Sequence, residues 1–344
     1  MTYSINIFSN FEMENYDGKC FSIAILCVET LNNILVTGAA GFVGKHLVTR
    51  LALRKYKVVI VDVADAKIFG ENIVAYKQDI RNTEAIQEIV KQEEVDTCVH
   101  LAAKVSVADS VINPNETIDV NIRGTVSVLE ACARNGVGNF VFASSAAVYG
   151  NPLSLPVNEN DTLKPLSPYG ISKADGERIV MDYKIRGMIK KAVSLRFFNI
   201  YGEGQNPEYA GVITKFAERL SAGLAPTIYG NGSQTRDFIS VQDVARAIIL
   251  AAESEISGTF NVGTGKAISI NELAERMTRI FGLDLKPIYL EAKKGDILHS
   301  CADMTNIRGC LGFETVDGLD AGLMHMFNEM LPKKSPANIG GISR

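Results

Sequence analysis

The chain has 344 residues, of which 47% are hydrophobic and 22% are charged, and its formal net charge at pH 7 is −4. This length allows a large core in two domains, or in one domain with a lobe, and the composition is typical of a soluble globular protein. The weakly acidic charge gives no reason to expect a nucleic-acid or membrane partner, and an anionic substrate would need locally placed cations.

The cysteines argue against a disulfide framework and against a zinc site. Six of them are scattered without any C-x-x-C pair, and the chain has only four histidines. Such spacing is typical of reduced, buried thiols in a cytoplasmic protein. We therefore expect no metal.

The first thirty residues precede the first clear strand. They include an apolar run at residues 20–28, which is too short to span a bilayer. Acidic residues precede this run where a signal peptide would carry positive charge. The sequence predicts an N-terminal extension over residues 1–30, and we assign it no function.

Short apolar segments alternate with amphipathic stretches from residue 33 onward. Strands are predicted at 33–37, 57–61, 73–76, 97–101, 140–143 and 192–196. Helices are predicted at 41–54, 83–92, 114–134 and 167–186. Continuous apolar strands separated by helices predict an α/β fold with a doubly wound, Rossmann-like parallel sheet over residues 31–199.

The regular alternation of strands and helices ends after Asn199, where Gly- and Pro-containing loops separate shorter elements. Residues 200–331 are predicted to form a smaller, mixed α/β substrate lobe, and a return of some of its segments to the large domain stays open. The polar, Gly-rich residues 332–344 are predicted to be a flexible tail.

A glycine-rich turn follows the first predicted strand. Its spacing is Gly38-x-x-Gly41-x-x-Gly44, with Phe42 and Val43 inside it, and a helix comes next. Glycines permit close approach to a pyrophosphate, and the helix N-terminus offers free N–H groups and a positive dipole end. The spacing is one residue longer than the common dinucleotide fingerprint. We expect a dinucleotide site here.

Acidic and small residues at later strand ends extend this expected site. Asp62 ends the second strand of the sheet, where a carboxylate accepts hydrogen bonds from ribose hydroxyls and repels a 2′-phosphate, so NAD is favoured over NADP. Asp79 and Ile80 follow the third strand and are candidates for the adenine edge. Small residues that leave room for the cofactor follow the fourth strand: Leu101, Ala102 and Ala103.

Tyr169 and Lys173 lie four residues apart in a predicted helix. That spacing puts the phenol and the ammonium on one face, about 6 Å apart. The opposite charge favours the phenolate, and lowering a tyrosine pKa from about 10 to about 7 needs roughly 4 kcal/mol. Such a tyrosine exchanges a proton with a substrate hydroxyl near neutral pH.

Several motifs together resemble one family. They are the glycine turn, the segment 101–103, Asn121, the run from Ser144 to Gly150, and Tyr169-x-x-x-Lys173. In order and spacing they resemble the extended short-chain dehydrogenase/reductase superfamily, and most closely its NAD-dependent nucleotide-sugar 4-epimerases of the UDP-glucose 4-epimerase type. The resemblance runs from about residue 33 to about residue 330.

The resemblance implies a role for individual residues. Tyr169 would take the proton of the sugar O4, Lys173 would hold the nicotinamide ribose, and Ser145 would orient O4. Asn121 and Ser144 would join the NAD site. The residues implied on the substrate side are Lys104, Ser106, Ser145, Asn199, Val212, Arg236, Asp296 and Ser300.

The resemblance also implies which reaction follows the first oxidation. The 4,6-dehydratases of the superfamily resemble Thr-Asp-Glu where this chain has Ser145-Ala146-Ala147. Alanines cannot supply the acid and base for elimination, so hydride should return to the other face of C4. The expected reaction is 4-epimerisation of a nucleotide-diphosphate sugar.

Two substrate positions bear on specificity. Lys293 stands where these epimerases usually carry an arginine, so a bidentate phosphate contact is lost or moved, and Arg236 should carry the diphosphate. Ser300 stands where a galactose-type enzyme can carry tyrosine, which leaves room for an N-acetyl group.

Other readings remain open. They are a uronate 4-epimerase, a net NAD-dependent dehydrogenase and a non-catalytic NAD-sensing regulator. The resemblance also implies a homodimer formed by the helices around 114–134 and 167–186.

Overall fold

The computed structural model describes residues 12–14, 20–22, 33–206, 211–292, 297–316 and 318–330. Its contacts divide the chain into one unit of residues 1–31 and another of residues 32–344. In the first unit, β1 (Glu12–Glu14) pairs antiparallel with β2 (Cys20–Ser22). The predicted tail at 332–344 lies outside the described residues.

The second unit alternates strands and helices in the predicted order. Its strands are β3 (Asn33–Thr37), β4 (Lys57–Asp62), β5 (Ile73–Lys77), β6 (Thr97–His100), β7 (Asn139–Ser145), β8 (Lys191–Phe197), β9 (Asn199–Tyr201), β10 (Thr227–Tyr229), β11 (Thr235–Ser240), β12 (Gly258–Val262), β13 (Ala267–Ser269) and β14 (Ile288–Leu290). Its α-helices are α1 (Phe42–Leu53), α2 (Thr83–Gln92), α3 (Val107–Ile112), α4 (Pro114–Ile118), α5 (Gly124–Arg134), α6 (Pro168–Ile185), α7 (Val212–Ser221), α8 (Val241–Glu253), α9 (Ile270–Ile280), α10 (Thr305–Leu311) and α11 (Leu319–Met330).

Seven parallel strands form the main sheet, in the order β5-β4-β3-β6-β7-β8-β12. The chain builds outward from β3 to β5 and then crosses to β6, so the strand order reverses between β3 and β6. In open α/β sheets, the crevice at the carboxyl ends of the strands beside such a reversal is where ligands bind. The predicted doubly wound parallel sheet is confirmed.

Helices cover both faces of this sheet. On one face, α2, α5 and α6 enclose a core that includes Leu129, Phe140 and Phe142. On the other face, α1 packs against α8. Because both faces are covered, the central strands are mostly apolar rather than alternating, and this is why they were recognisable in the sequence.

The predicted helix at 114–134 is interrupted. A five-residue π-helical segment, Asp119–Arg123, separates α4 from α5, and α3 precedes them without having been predicted. Gly124 follows the π segment, where a Cβ would come within 2.4 Å of the Ile80 side chain. Such π turns are frequent at functional sites, and this one contains Asn121.

The chain beyond residue 199 forms smaller sheets around a second core. β11 pairs with β9 in parallel and with β13 antiparallel, and β10 pairs with β14. Phe216, Phe238 and Leu273 are among the buried side chains. β12 returns to the main sheet beside β8. Among the described residues, no helix is long and apolar enough to cross a membrane.

Candidate active site

A cavity of about 810 Å³ opens at the carboxyl ends of the central strands. It is lined by residues that follow β3, β4, β5, β6 and β7, and by the start of α6 and α7. Most predicted site residues line it: Gly38, Gly41, Phe42, Val43, Gly44, Asp62, Asp79, Ile80, Leu101, Ala102, Ala103, Lys104, Ser144, Ser145, Tyr169, Lys173, Asn199 and Val212. Residues far apart in the sequence therefore face one space.

The glycine turn forms a cradle that side chains would fill. Gly38 has φ +74°, and a Cβ there would lie 2.6 Å from the Ala102 nitrogen. A Cβ on Gly44 would lie 2.3 Å from the Gly38 oxygen. Helix α1 begins at Phe42 with no side-chain cap, so the N–H groups of its first turn have no partner within the helix. This arrangement fits the pyrophosphate of NAD.

Asp62 stands beside this cradle at the end of β4. Its carboxylate accepts hydrogen bonds from the backbone N–H groups of Ala40 and Ala64, each at 2.9 Å. These bonds fix the carboxylate at the cavity wall, where it fits the ribose hydroxyls of NAD.

Asp79 at the next strand end is paired with Arg81, a residue that the sequence did not single out. The Arg81 guanidinium holds the pKa of Asp79 below its usual range and also contacts Asp119 at 2.6 Å. Arg81 lines the cavity beside Ile80.

Ser145, Tyr169 and Lys173 meet where β7 ends and α6 begins. Pro168 starts α6, and the Ser167 side chain caps it by accepting a hydrogen bond from the Gly170 N–H at 3.1 Å. The Tyr169 phenol lies close enough to the Ser145 hydroxyl for that hydroxyl to lower its pKa. The Lys173 ammonium lies 5.9 Å from the centre of the Tyr169 ring. The strand end and the helix start therefore bring the three predicted catalytic side chains together.

Burial governs the acid–base behaviour of the pair. It raises the pKa of Tyr169 above its usual value of 10, and the hydrogen bond from Ser145 opposes the rise without cancelling it. Burial also lowers the pKa of Lys173 to about 8, although the charge of Glu177 opposes that fall. The expectation of a Tyr169 pKa near 7 is therefore wrong for the protein alone, because desolvation of the phenolate raises the pKa instead.

Asn121 lies beneath the cavity wall rather than on it. Its carboxamide accepts a hydrogen bond from the Lys104 N–H at 2.7 Å and donates to the Lys104 carbonyl at 3.0 Å and to the Ser172 hydroxyl at 2.9 Å. The side chain thus joins the segment after β6 to α6. Its predicted contact with the cofactor stays a prediction.

A buried hydrogen-bond chain under the cavity was not predicted. The His100 ring connects Thr37 (2.7 Å) to Thr125 (3.0 Å), and the Thr125 hydroxyl donates to the Asn121 carbonyl at 2.6 Å. Since that hydroxyl proton is used, Thr125 accepts from His100 Nε2–H. Burial lowers the pKa of His100 to about 3, so the ring is neutral. Histidine at the end of an apolar strand was the signal in the sequence.

The other predicted substrate residues that the structure describes, Ser106, Arg236 and Ser300, do not line the cavity. Ser106 caps α3 by accepting from the Asp109 N–H. Arg236 lies on β11 two residues before Phe238, which lines the cavity, and its guanidinium donates to the Thr235 carbonyl at 2.9 Å. Ser300 is buried, and its N–H also donates to Thr235. Asp296 and Lys293 lie outside the described residues.

Glu177 and Arg196 form a buried ion pair that the sequence analysis missed. Arg196 donates to both carboxylate oxygens of Glu177, at 2.9 and 2.7 Å, and the Ser144 hydroxyl bonds to the same carboxylate. The signals were an arginine inside an apolar strand and a glutamate four residues after Lys173.

A model of the NAD dependent epimerase/dehydratase family matches residues 34–263. Three solved structures are similar over most of their length. The UDP-glucose 4-epimerase of Thermotoga maritima with UDP-glucose is 36% identical, covers 86% of this chain and 97% of its own, and has a TM-score of 0.82. The UDP-N-acetylglucosamine 4-epimerase of Methanobrevibacter ruminantium with UDP-N-acetylmuramic acid is 34% identical, covers 87% of this chain and 98% of its own, and has a TM-score of 0.80. The UDP-glucose 4-epimerase of Thermus thermophilus with NAD is 32% identical, covers 86% of this chain and 98% of its own, and has a TM-score of 0.80.

Proposed function

The chain belongs to the NAD-dependent epimerase/dehydratase family, and on that premise we propose that it inverts C4 of a UDP-sugar through a transient 4-keto intermediate. The observation that carries this proposal is the meeting of Ser145, Tyr169 and Lys173 at the wall of the cavity that fits NAD. Similar structures with UDP-glucose and with a UDP-N-acetyl sugar derivative support UDP-glucose/UDP-galactose as substrates, with N-acetylated sugars beside them.

The proton steps belong to residues of this chain. Ser145 orients the sugar O4 through its hydroxyl, and Tyr169 removes the O4 proton and returns it. Lys173 stabilises the phenolate by its charge. NAD, when bound in the cavity lined by Gly38, Asp62 and Lys173, would supply the hydride acceptor and donor for C4.

The residues after Ser145 keep the chemistry at one carbon. Ala146 and Ala147 form a short 3₁₀ turn and carry no acid or base. Their helix neighbour Gly170 allows α6 to pack onto this turn, since a Cβ there would come within 2.8 Å of the Ala147 oxygen. Without a carboxyl group at these positions, elimination of water has no proton donor, and the keto intermediate is simply reduced again.

We assign residues 31–199 mainly to NAD binding and catalysis, and residues 200–331 mainly to the substrate. Arg236 is proposed to bind the diphosphate in a bidentate way, and Asp296 to hold the nucleotide ribose. The cysteine spacing predicts a cytoplasmic location.

A homodimer is also proposed. α3, α4 and α6 pack together and carry exposed apolar side chains: Val107, Val111, Ile112, Ile118 and Ile171. Apolar side chains exposed on three neighbouring helices are typical of a protein interface.

The test is a panel of UDP-, dTDP- and GDP-sugars assayed for C4 inversion. We expect turnover of UDP-glucose and UDP-galactose with no accumulation of NADH, which a net dehydrogenase would release. Tyr169→Phe should lower kcat by about 10²–10⁴-fold, because it removes the general base and keeps the ring. Full activity of Tyr169→Phe, or NADH formed in step with substrate loss, would contradict the proposal.

A further inference from the structure

Lys173 is a cation held almost entirely inside the protein. Its side chain is 4% exposed, and its ammonium donates a hydrogen bond to the Ala143 carbonyl at 2.7 Å. No ion pair joins it to a carboxylate within the described part of the chain. Burial without a partner favours the neutral amine, yet the proposed reaction needs the ammonium beside Tyr169.

The first stabilising group is the ring of Phe142 on β7. The Lys173 nitrogen lies 5.0 Å from its centre, within the range of cation–π attraction. Gly176 of α6 makes room for this ring, since a Cβ there would come within 2.4 Å of the Phe142 ring carbon Cζ. The strand residue two places before Ser144 thus reaches under the catalytic helix.

The second stabilising group is the carboxylate of Glu177, one turn after Lys173 on α6. Its charge raises the pKa of Lys173 against the effect of burial. Arg196 on β8 binds both of its oxygens, and Ser144 binds one of them, so the carboxylate is fixed in place.

Among the described residues, the other titratable groups around Lys173 do not supply a negative charge that raises its pKa. Tyr169 faces it from the same helix and is neutral, because burial raises its pKa. His100 faces it from β6 and is also neutral, with a pKa of about 3. Arg196 is positively charged and is paired with Glu177. Glu177 is therefore the charge that favours the ammonium.

We propose that Phe142 and Glu177 are positioning residues for the reaction: together they keep the Lys173 ammonium charged at neutral pH, and Arg196 and Gly176 hold them in place. This inference rests on the proposed function for its consequence, because the charge on Lys173 matters to catalysis only if Tyr169 is the base. The charge state itself is a property of the protein and can be measured without turnover.

The experiment titrates Lys173 directly in the full-length protein. Trace acetic anhydride labels each neutral amine. Mass spectrometry of the Lys173 peptide across pH 6–11 then gives the labelling midpoint, which is the pH at which half of the Lys173 side chains are neutral. The variants are Phe142→Leu, which removes the ring face, and the charge-neutral pair Glu177→Gln/Arg196→Gln, which avoids leaving an arginine buried alone. We expect each to lower the midpoint by about one pH unit.

The matched control is Glu93→Gln. Glu93 is also a buried carboxylate, paired with Lys57 at 2.9 Å, but it lies beside Asn33, at the amino ends of the strands and away from the cavity at their carboxyl ends. The Glu93→Gln substitution should lower the free energy of unfolding and leave the labelling midpoint of Lys173 unchanged. An unchanged midpoint in both Phe142→Leu and the double variant, or an equal shift in Glu93→Gln, would overturn the inference.

The pH dependence of kcat gives the second readout. The pH above which kcat declines should move down with the labelling midpoint in the same two variants, whereas a merely structural role would lower kcat equally at every pH. A shifted midpoint with no C4 inversion by the unmodified protein would refute the proposed function and leave the charge-holding role intact. A shifted midpoint with an unshifted kcat profile would refute the link to catalysis.

Discussion

Ser300 is the single residue from which we predict substrate range. It is buried beside Thr235, on the strand that carries Arg236. We propose that a serine here leaves space for the sugar that a tyrosine would fill, and even one extra methylene group in a pocket changes discrimination by about 10–200-fold. We expect Ser300→Tyr to lower kcat/KM for UDP-N-acetylglucosamine by at least about tenfold while UDP-glucose is little affected. Equal losses on both substrates would show that the pocket lies elsewhere.

Lys173 supplies a prediction about stability. The pKa of Lys173 falls from 10.5 in the unfolded chain to about 8 in the folded protein. Below pH 8 the amine is charged in both states, so folding carries a burial cost of roughly 3 kcal/mol. Between pH 8 and 10.5 the unfolded chain binds more protons, so this cost disappears as the pH rises.

Replacing Lys173 by methionine removes that cost. We expect Lys173→Met to raise the free energy of unfolding by about 3 kcal/mol at pH 7, while abolishing C4 inversion. The difference from the unmodified protein should shrink steadily between pH 8 and 10.5. Urea denaturation at a series of pH values measures it, and a difference that does not change with pH would contradict the charge argument.

At the scale of elements, α6 depends on a glycine in its middle. Glycine in a helix costs about 1 kcal/mol relative to alanine, yet Gly176 is where the helix crosses the Phe142 ring at contact distance. We expect Gly176→Ala to destabilise the fold by about 1–2 kcal/mol, since overpacking outweighs helix propensity. Gly309→Ala is the control, because Gly309 lies in α10 with no heavy atom within 4 Å of an added Cβ, and it should be neutral or stabilising. Thermal unfolding of both variants measures the two changes in stability, and an equal effect of the two substitutions would contradict the packing argument.

The elements of the main sheet were predictable because their signals are local. A strand buried on both faces is apolar throughout, and the Ser167–Pro168 pair marks the start of α6. The break at Asp119–Arg123 was not predictable, because its cause is tertiary: Gly124 packs on Ile80, and Asn121 bonds to Lys104 and Ser172. The sequence of that segment has an ordinary helical pattern.

At the scale of the whole molecule, the predictable part of the site is the part that we propose to bind NAD and the sugar. Glycines, Asp62 and the Tyr169–Lys173 pair have spacings dictated by the cofactor and by the helix. Glu177 and Arg196 act through other residues. They lie on separate elements, α6 and β8, so no spacing in the sequence predicts that they pair. The displaced pKa of Tyr169 was missed for the same reason, since burial depends on how α6 packs against β7.

The proposed homodimer predicts that a charge placed on the exposed face of α6 dissociates the two subunits. Ile171 lies on α6 with 44% of its surface exposed, next to a groove of about 310 Å³ lined by Leu163, Pro165 and Ala174. In a two-fold interface the same surface occurs on both subunits, so one substitution places two changed residues in it. Ile171→Asp would bury a pair of like charges, at a cost that a modest interface cannot offset. Sedimentation should then fall from a dimer to the monomer mass of 37.4 kDa. Leu53→Asp, at an 80% exposed position on α1, should leave the dimer intact, and a dimer that survives Ile171→Asp would exclude α6 from the interface.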